Sequence, residues 1–95
     1  MTGGVRSLRS MAPEDQTLIE HLVERTPGVV GGSARIVRTR IPVWTLECYR
    51  RQGASDAEII EDFPVLRPVD LRAAWAYVKE NRSEIERDIA ENEAA

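Results

Sequence analysis

The sequence predicts a mainly α-helical domain: a short N-terminal β-element, then a three-helix core, then an acidic C-terminal helix. Three observations carry that prediction. Residues 29–37 are rich in β-branched side chains around a Gly-Gly pair. From Pro42 to Val78 apolar residues recur every three or four positions between turn signals. Residues 79–95 hold six acids against three bases, with Ile85 and Ile89 four apart. At 95 residues the chain has room for one domain.

Residues 1–20 read as a leader, in part a short helix. Pro13 suits a first helical position and acids follow it, which predicts one or two helical turns to about Glu20. His21 to Arg25 reads as a short extended piece or as more of the same helix. Thr26-Pro27-Gly28 is a turn signal. Val29 to Val37 then suggests two short extended segments split by Gly31-Gly32. Two such strands are marginal alone in water, and pairing with a second copy would satisfy their edges. Val29, Val30, Ile36 and Trp44 are accordingly the expected homodimer contacts.

The helices follow. Pro42 opens the first, with Val43, Leu46 and Tyr49 or Arg50 on one stripe and Gly53 as the stop. Ser55-Asp56-Ala57-Glu58 is a capping-box sequence that starts the second, whose stripe is Ile59, Ile60 and Phe63 before Pro64. Pro68 opens the third, which should bury Leu71, Trp75 and Val78. Ser83-Glu84-Ile85-Glu86 is a second capping-type sequence, so a break near 81–83 should separate a terminal helix. This divides the chain into 1–20, a β-element plus helical core at 21–81, and an extension at 82–95. Three short helices with tight turns are the frame of helix-turn-helix and homeodomain-like modules, and of other bundles too.

Charge and chemistry narrow the function classes. The net charge is −3, but seven arginines face six acids within residues 33–78. No apolar run approaches the ~20 residues that span a bilayer, and no apolar stretch follows the N-terminal arginines to make a signal peptide. The single cysteine, Cys48, cannot form an internal disulfide, which fits a cytoplasmic protein. One histidine, His21, and one cysteine lack spaced partners of metal-ligand or nucleophile–base type. Neighbouring Glu61 and Asp62 point apart on a helix. The reading is of a non-enzyme with no metal and no cofactor.

The candidate sites are therefore binding surfaces. Arg35, Arg38 and Arg40 alternate along an extended segment, which would send all three to one face. Such a face can bridge phosphates, or be solvated, or pair with acids. Arg67 and Arg72 flank or lie on the third helix, the one that enters a major groove in helix-turn-helix proteins. Trp44 and Trp75 read as core or dimer anchors. The tail is too short to hold a helix firmly alone. Ile85 and Ile89 could lay into a partner's groove with Glu86, Glu91 and Glu93 meeting basic residues, or dock on this chain's own core.

One family shares the ordered motifs Thr26-Pro27-Gly28-Val29-Val30-Gly31-Gly32, Thr39-Arg40-Ile41-Pro42-Val43-Trp44, Gly53-Ala54-Ser55, Asp62-Phe63-Pro64 and Ala73-Ala74-Trp75-Ala76-Tyr77. Over roughly residues 21–92 the chain resembles the domain of unknown function 433 family. The resemblance implies a homeodomain-like helical core with an N-terminal β-element paired across a dimer. It also implies similarity to VapB-like antitoxins, often encoded beside a toxin with a PIN-like ribonuclease fold. Two positions depart from the family pattern. Arg38 stands where a glycine is usual before the Thr-Arg pair, and Arg67-Pro68 replaces a threonine-like cap. The expected function is an antitoxin-like, promoter-binding homodimer that neutralises a PIN-like ribonuclease. The alternatives are a DNA-binding regulator without a toxin, or a structural interaction domain.

Overall fold

The structure, a computed structural model, describes residues 13–94. Of the leader expected at residues 1–20, residues 1–12 lie outside them. The chain is mainly helical with one small sheet: α1 (Pro13–Leu22), β1 (Val23–Glu24), a 3₁₀ turn (Val30–Gly32), β2 (Arg35–Ile36), α2 (Val43–Arg51), α3 (Asp56–Asp62), α4 (Pro68–Glu80) and α5 (Arg82–Ala94).

α4 is the centre. It packs against α1, α2, α3, α5 and β1, while α5 lies across α2 and α4. Leu71, Ala73, Ala74, Tyr77 and Val78 of α4 are buried with Val43 and Leu46 of α2, Ile59 of α3, and Ile85 and Ile89 of α5. Small residues let neighbours approach α4 closely: Ala73 and Ala74 have no exposed surface. Trp75, expected among the buried set, is only half-buried, and Tyr77 takes a core position instead. None of α1 is fully buried, and it docks by Leu18, Ile19 and Leu22.

The helix ends form as the sequence dictates. Ser55 Oγ accepts from Glu58 N–H at 3.1 Å and Glu58 Oε1 accepts from Ser55 N–H at 2.8 Å, the reciprocal capping box. α2 closes through Gly53 at φ 98°, with Ala54 N–H donating to Tyr49 O at 3.1 Å. Pro42 stands one residue outside α2, extended at φ −72° and ψ 147°.

The β-element differs from its sequence reading in two ways. Val30, Gly31 and Gly32 take positive φ of 42°, 68° and 81°, so the Gly-Gly break coils the backbone into a turn where a strand was expected. His21 and Leu22 end α1, and only Val23–Glu24 extends. The strand pairing also closes within the chain: β1 and β2 are antiparallel, Val23 opposite Ile36 and Glu24 opposite Arg35. On its other side Arg35 bridges to Pro42. Ile36 is 1% exposed in the chain's own core and presents no face to a second copy.

Candidate nucleic-acid interface

Arg35, Arg38 and Arg40 do not share a strand face, because β2 ends at Ile36. Thr39 N–H donates to Ile36 O at 3.1 Å and closes a four-residue turn with Arg38 in its third position, at φ 64°. A turn that wants positive φ there favours glycine. That fits the glycine that the resemblance leads one to expect at this position, and the left-handed backbone breaks the period-two alternation. Arg35 consequently goes inward. Its Nη1 donates to Glu24 Oε2 at 2.6 Å and its Nη2 to Thr26 Oγ1 at 3.2 Å, tying β2 to β1. Its Nε is buried without a partner. Arg38 and Arg40 remain exposed, with no ion pair within 4.0 Å among the described residues. Together with Thr39 and the rim of Arg35 they line a shallow hollow.

Arg67 is committed elsewhere. Its Nε and Nη2 donate to the Asp70 carboxylate at 3.1 and 2.9 Å, and its backbone N–H donates to Asp70 Oδ2 at 2.9 Å. A guanidinium has no acceptor to offer the helix start. The N3 carboxylate caps α4 alone, doing the work the absent threonine would share. Burial pushes the Asp70 carboxyl up, but the Arg67 hydrogen bonds and charge outweigh it and hold Asp70 below the ordinary aspartate value. Arg72 stays on the surface of α4, 3.8 Å from Asp15 and 4.0 Å from Glu14 of α1.

The tail residues divide. Ile85 is wholly buried and Ile89 is 6% exposed, both in this chain's core, so no apolar stripe is left for a partner's groove. The register that made them look available also fits the cleft between α2 and α4. Glu86 is tied to α2, accepting from Arg51 Nη2 at 2.6 Å and Nη1 at 3.2 Å. The Arg51 hydrogen bond holds the Glu86 carboxyl below its usual range. Glu91 and Glu93 remain exposed. Val29, Val30 and Trp44, the other expected dimer contacts, are half-buried.

Four charged features escaped the sequence reading. Glu47 is buried, and its carboxylate meets Arg50 Nη2 at 2.7 Å and Arg51 Nε at 2.8 Å. The Glu-x-x-Arg-Arg spacing on α2 was the available signal. Arg50 in turn lies over the Trp75 ring, 4.2 Å from its centroid, which accounts for the half-buried indole. The Trp75 Nε1–H donates to Asp56 Oδ1 at 3.1 Å. Lys79 and Arg82 are exposed and have no ion pair within 4.0 Å among the described residues. Arg72, Trp75 and Lys79 fall three and four positions apart, a stripe legible in the sequence.

Nothing in these sites assembles nucleophilic chemistry. Burial first, then the charge of Glu93, pushes the Cys48 thiol up, away from the reactive thiolate. No cluster of three metal-binding side chains occurs among the described residues, and no described helix is long and apolar enough to cross a membrane.

Fold and surfaces together describe a small, mainly helical domain with one two-stranded sheet and surface cations that make no ion pair among the described residues. The model of the family described as protein of unknown function (DUF433) matches residues 23–78, and the chain belongs to that family. The crystal structure of a DUF433 member protein from Anabaena variabilis ATCC 29413 is similar throughout. It is 43% identical, with a TM-score of 0.72 over 95% of this chain and 99% of that one. No curated protein matches the chain.

Proposed function

We propose that this protein is the antitoxin-like component of a type II toxin–antitoxin pair, a cytoplasmic homodimer that binds promoter DNA and neutralises a PIN-like ribonuclease. In this reading α2, α3 and α4 form a homeodomain-like core, α3–α4 is the helix-turn-helix and α4 is its recognition helix. The observation that carries the reading is the separation of unspent charge. Arg38, Arg40, Lys79 and Arg82 lie exposed without ion pairs among the described residues, while α5 keeps exposed carboxylates at Glu91 and Glu93. Unpaired cations suit phosphates, and a pre-folded acidic helix suits a ribonuclease surface made to hold RNA. Toxin contact then uses the outer acids of α5, since its isoleucines are spent on the core. The half-buried Val29, Val30 and Trp44 are left as the dimer contacts.

Two measurements test this. A gel-shift titration with duplex DNA from upstream of its own gene should give a complex that weakens steeply between about 50 and 200 mM salt. Co-purification with the product of the adjacent gene should be lost on Glu91→Lys/Glu93→Lys. Retardation without any capture of that product favours the second reading, a DNA-binding regulator without a toxin. The inward docking of Ile85 and Ile89 already lends that reading weight. Neither retardation nor capture rejects both.

A further inference from the structure

We infer that a groove floored by α4 and walled by α1, α2 and the start of α5 is a docking surface for the phosphate backbone of a nucleic acid. The inference rests on the nucleic-acid half of the proposed function and deepens it with a surface that tertiary packing completes. The groove measures about 580 Å³ and is lined by Arg50, Arg72, Lys79, Arg82, Trp75 and Asp15, with Ala76 at its floor. Four cations face one carboxylate there, in a chain whose net charge is −3.

How each cation is held decides what it can do. Lys79 and Arg82 are exposed with no ion pair within 4.0 Å among the described residues, so a phosphate gains their charge without breaking any described contact. Arg72 meets Asp15 and Glu14 only at 3.8 and 4.0 Å with its side chain 60% exposed, a pairing weak enough to be exchanged. Arg50 is fixed differently. Glu47 holds its Nε at 2.9 Å and Trp75 supports its plane at 4.2 Å, so the guanidinium loses little freedom when an anion arrives. Arg72 projects from the second turn of α4 and Lys79 from its last. In a helix-turn-helix arrangement the first turns of the recognition helix meet base edges, and its C-terminal end meets the backbone. A protein carboxylate partner would also answer four positive charges, but two of them, Arg72 and Lys79, belong to α4, the helix that the nucleic-acid reading sets against DNA.

The test is fluorescence anisotropy with a labelled mixed-sequence DNA duplex across a salt series. Lys79→Gln/Arg82→Gln should leave the circular dichroism melt close to unchanged, since neither side chain makes an ion pair within 4.0 Å among the described residues. The slope of log affinity against log salt should become shallower by about 2, with affinity at low salt falling about tenfold. The same charge change outside the groove, at Arg25, which lies 3.4 Å from Glu84, and at exposed Arg87 (Arg25→Gln/Arg87→Gln), should leave the slope near that of the unmodified chain. A duplex-binding protein whose slope ignores the groove pair, or falls equally in both pairs, overturns the inference and leaves the nucleic-acid reading standing. An unmodified chain that binds no duplex overturns both. If it instead binds poly-L-glutamate, the groove belongs to an acidic protein partner and the inference is wrong.

Discussion

α4 and α5 are each 13 residues long and consecutive, yet they do opposite work. Seven residues of α4 are buried, including an aspartate and a tyrosine, and every other helix touches it. α5 contributes Ile85 and Ile89 to the core and gives the rest of its described surface largely to solvent. Its further ties are polar: Glu86 to Arg51, and the Tyr77 hydroxyl donating to Glu84 at 2.8 and 2.9 Å. Burial, then Glu84, pushes the Tyr77 phenol well above its usual range, so this donor keeps its proton throughout the neutral range. The lesson is that α4 is the core itself, whereas α5 is a cover pinned at two apolar points and left with carboxylates facing out.

Three substitutions sharpen or break that contrast. Leu71→Ala in α4, with no exposed surface, should cost about 2–5 kcal/mol in denaturant unfolding and loosen the whole domain. Ile85→Ala should cost about 2–4 kcal/mol, but hydrogen exchange should quicken in α5 before α4. Uniform quickening would make the two helices one cooperative unit and erase the distinction. Asp70→Asn weakens the side-chain cap on α4 and the Arg67 pair, at about 1–2 kcal/mol by thermal melting.

Asp70 also sets an acid limb. Its folded carboxyl titrates below the unfolded one, so its contribution is present above the unfolded value of about 4 and lost as pH falls through the folded value. Glu86 has the same sign. Asp88 has the opposite one: burial first, then Glu84 and Glu91, raise its carboxyl, and its Oδ2 is buried without a partner. Protonating Asp88 therefore adds stability as pH falls through its raised value, before the loss from Asp70 sets in. Asp70→Asn should flatten the acid limb, and Asp88→Asn should remove the rise; melting across acidic pH reads both.

The smallest effect belongs to the turn. Arg38→Gly relieves a left-handed residue at φ 64° and should gain about 0.5–1 kcal/mol after glycine's added chain entropy is subtracted. If Arg38 also meets a phosphate, the same variant should bind DNA with a shallower salt dependence. A more stable protein with unchanged binding removes Arg38 from the interface.

What was legible in the chain divides along the same physical line. Local chemistry was readable: the Ser55–Glu58 box, the Gly53 stop, Pro68 opening α4 and the break before Ser83 all depend on residues within four positions of one another. Pairings across the fold were not. Nothing local says that Glu24 waits opposite Arg35, that Arg51 reaches Glu86, or that β1 and β2 satisfy each other within one chain. The amphipathic pattern of α5 specified an apolar face without specifying whose groove it enters. The groove beside Trp75 was half visible, as the Arg72–Trp75–Lys79 stripe; Arg50 and Arg82 join it only through tertiary packing.

The central claim is that this molecule works through cations left uncommitted by its own carboxylates. Isothermal titration of the folded chain with duplex DNA from upstream of its gene, repeated as salt is raised, tests it most directly. The account predicts binding whose affinity drops linearly on a double-logarithmic salt plot, with several phosphates' worth of slope. Absence of binding at low salt, or an affinity indifferent to salt, would contradict it.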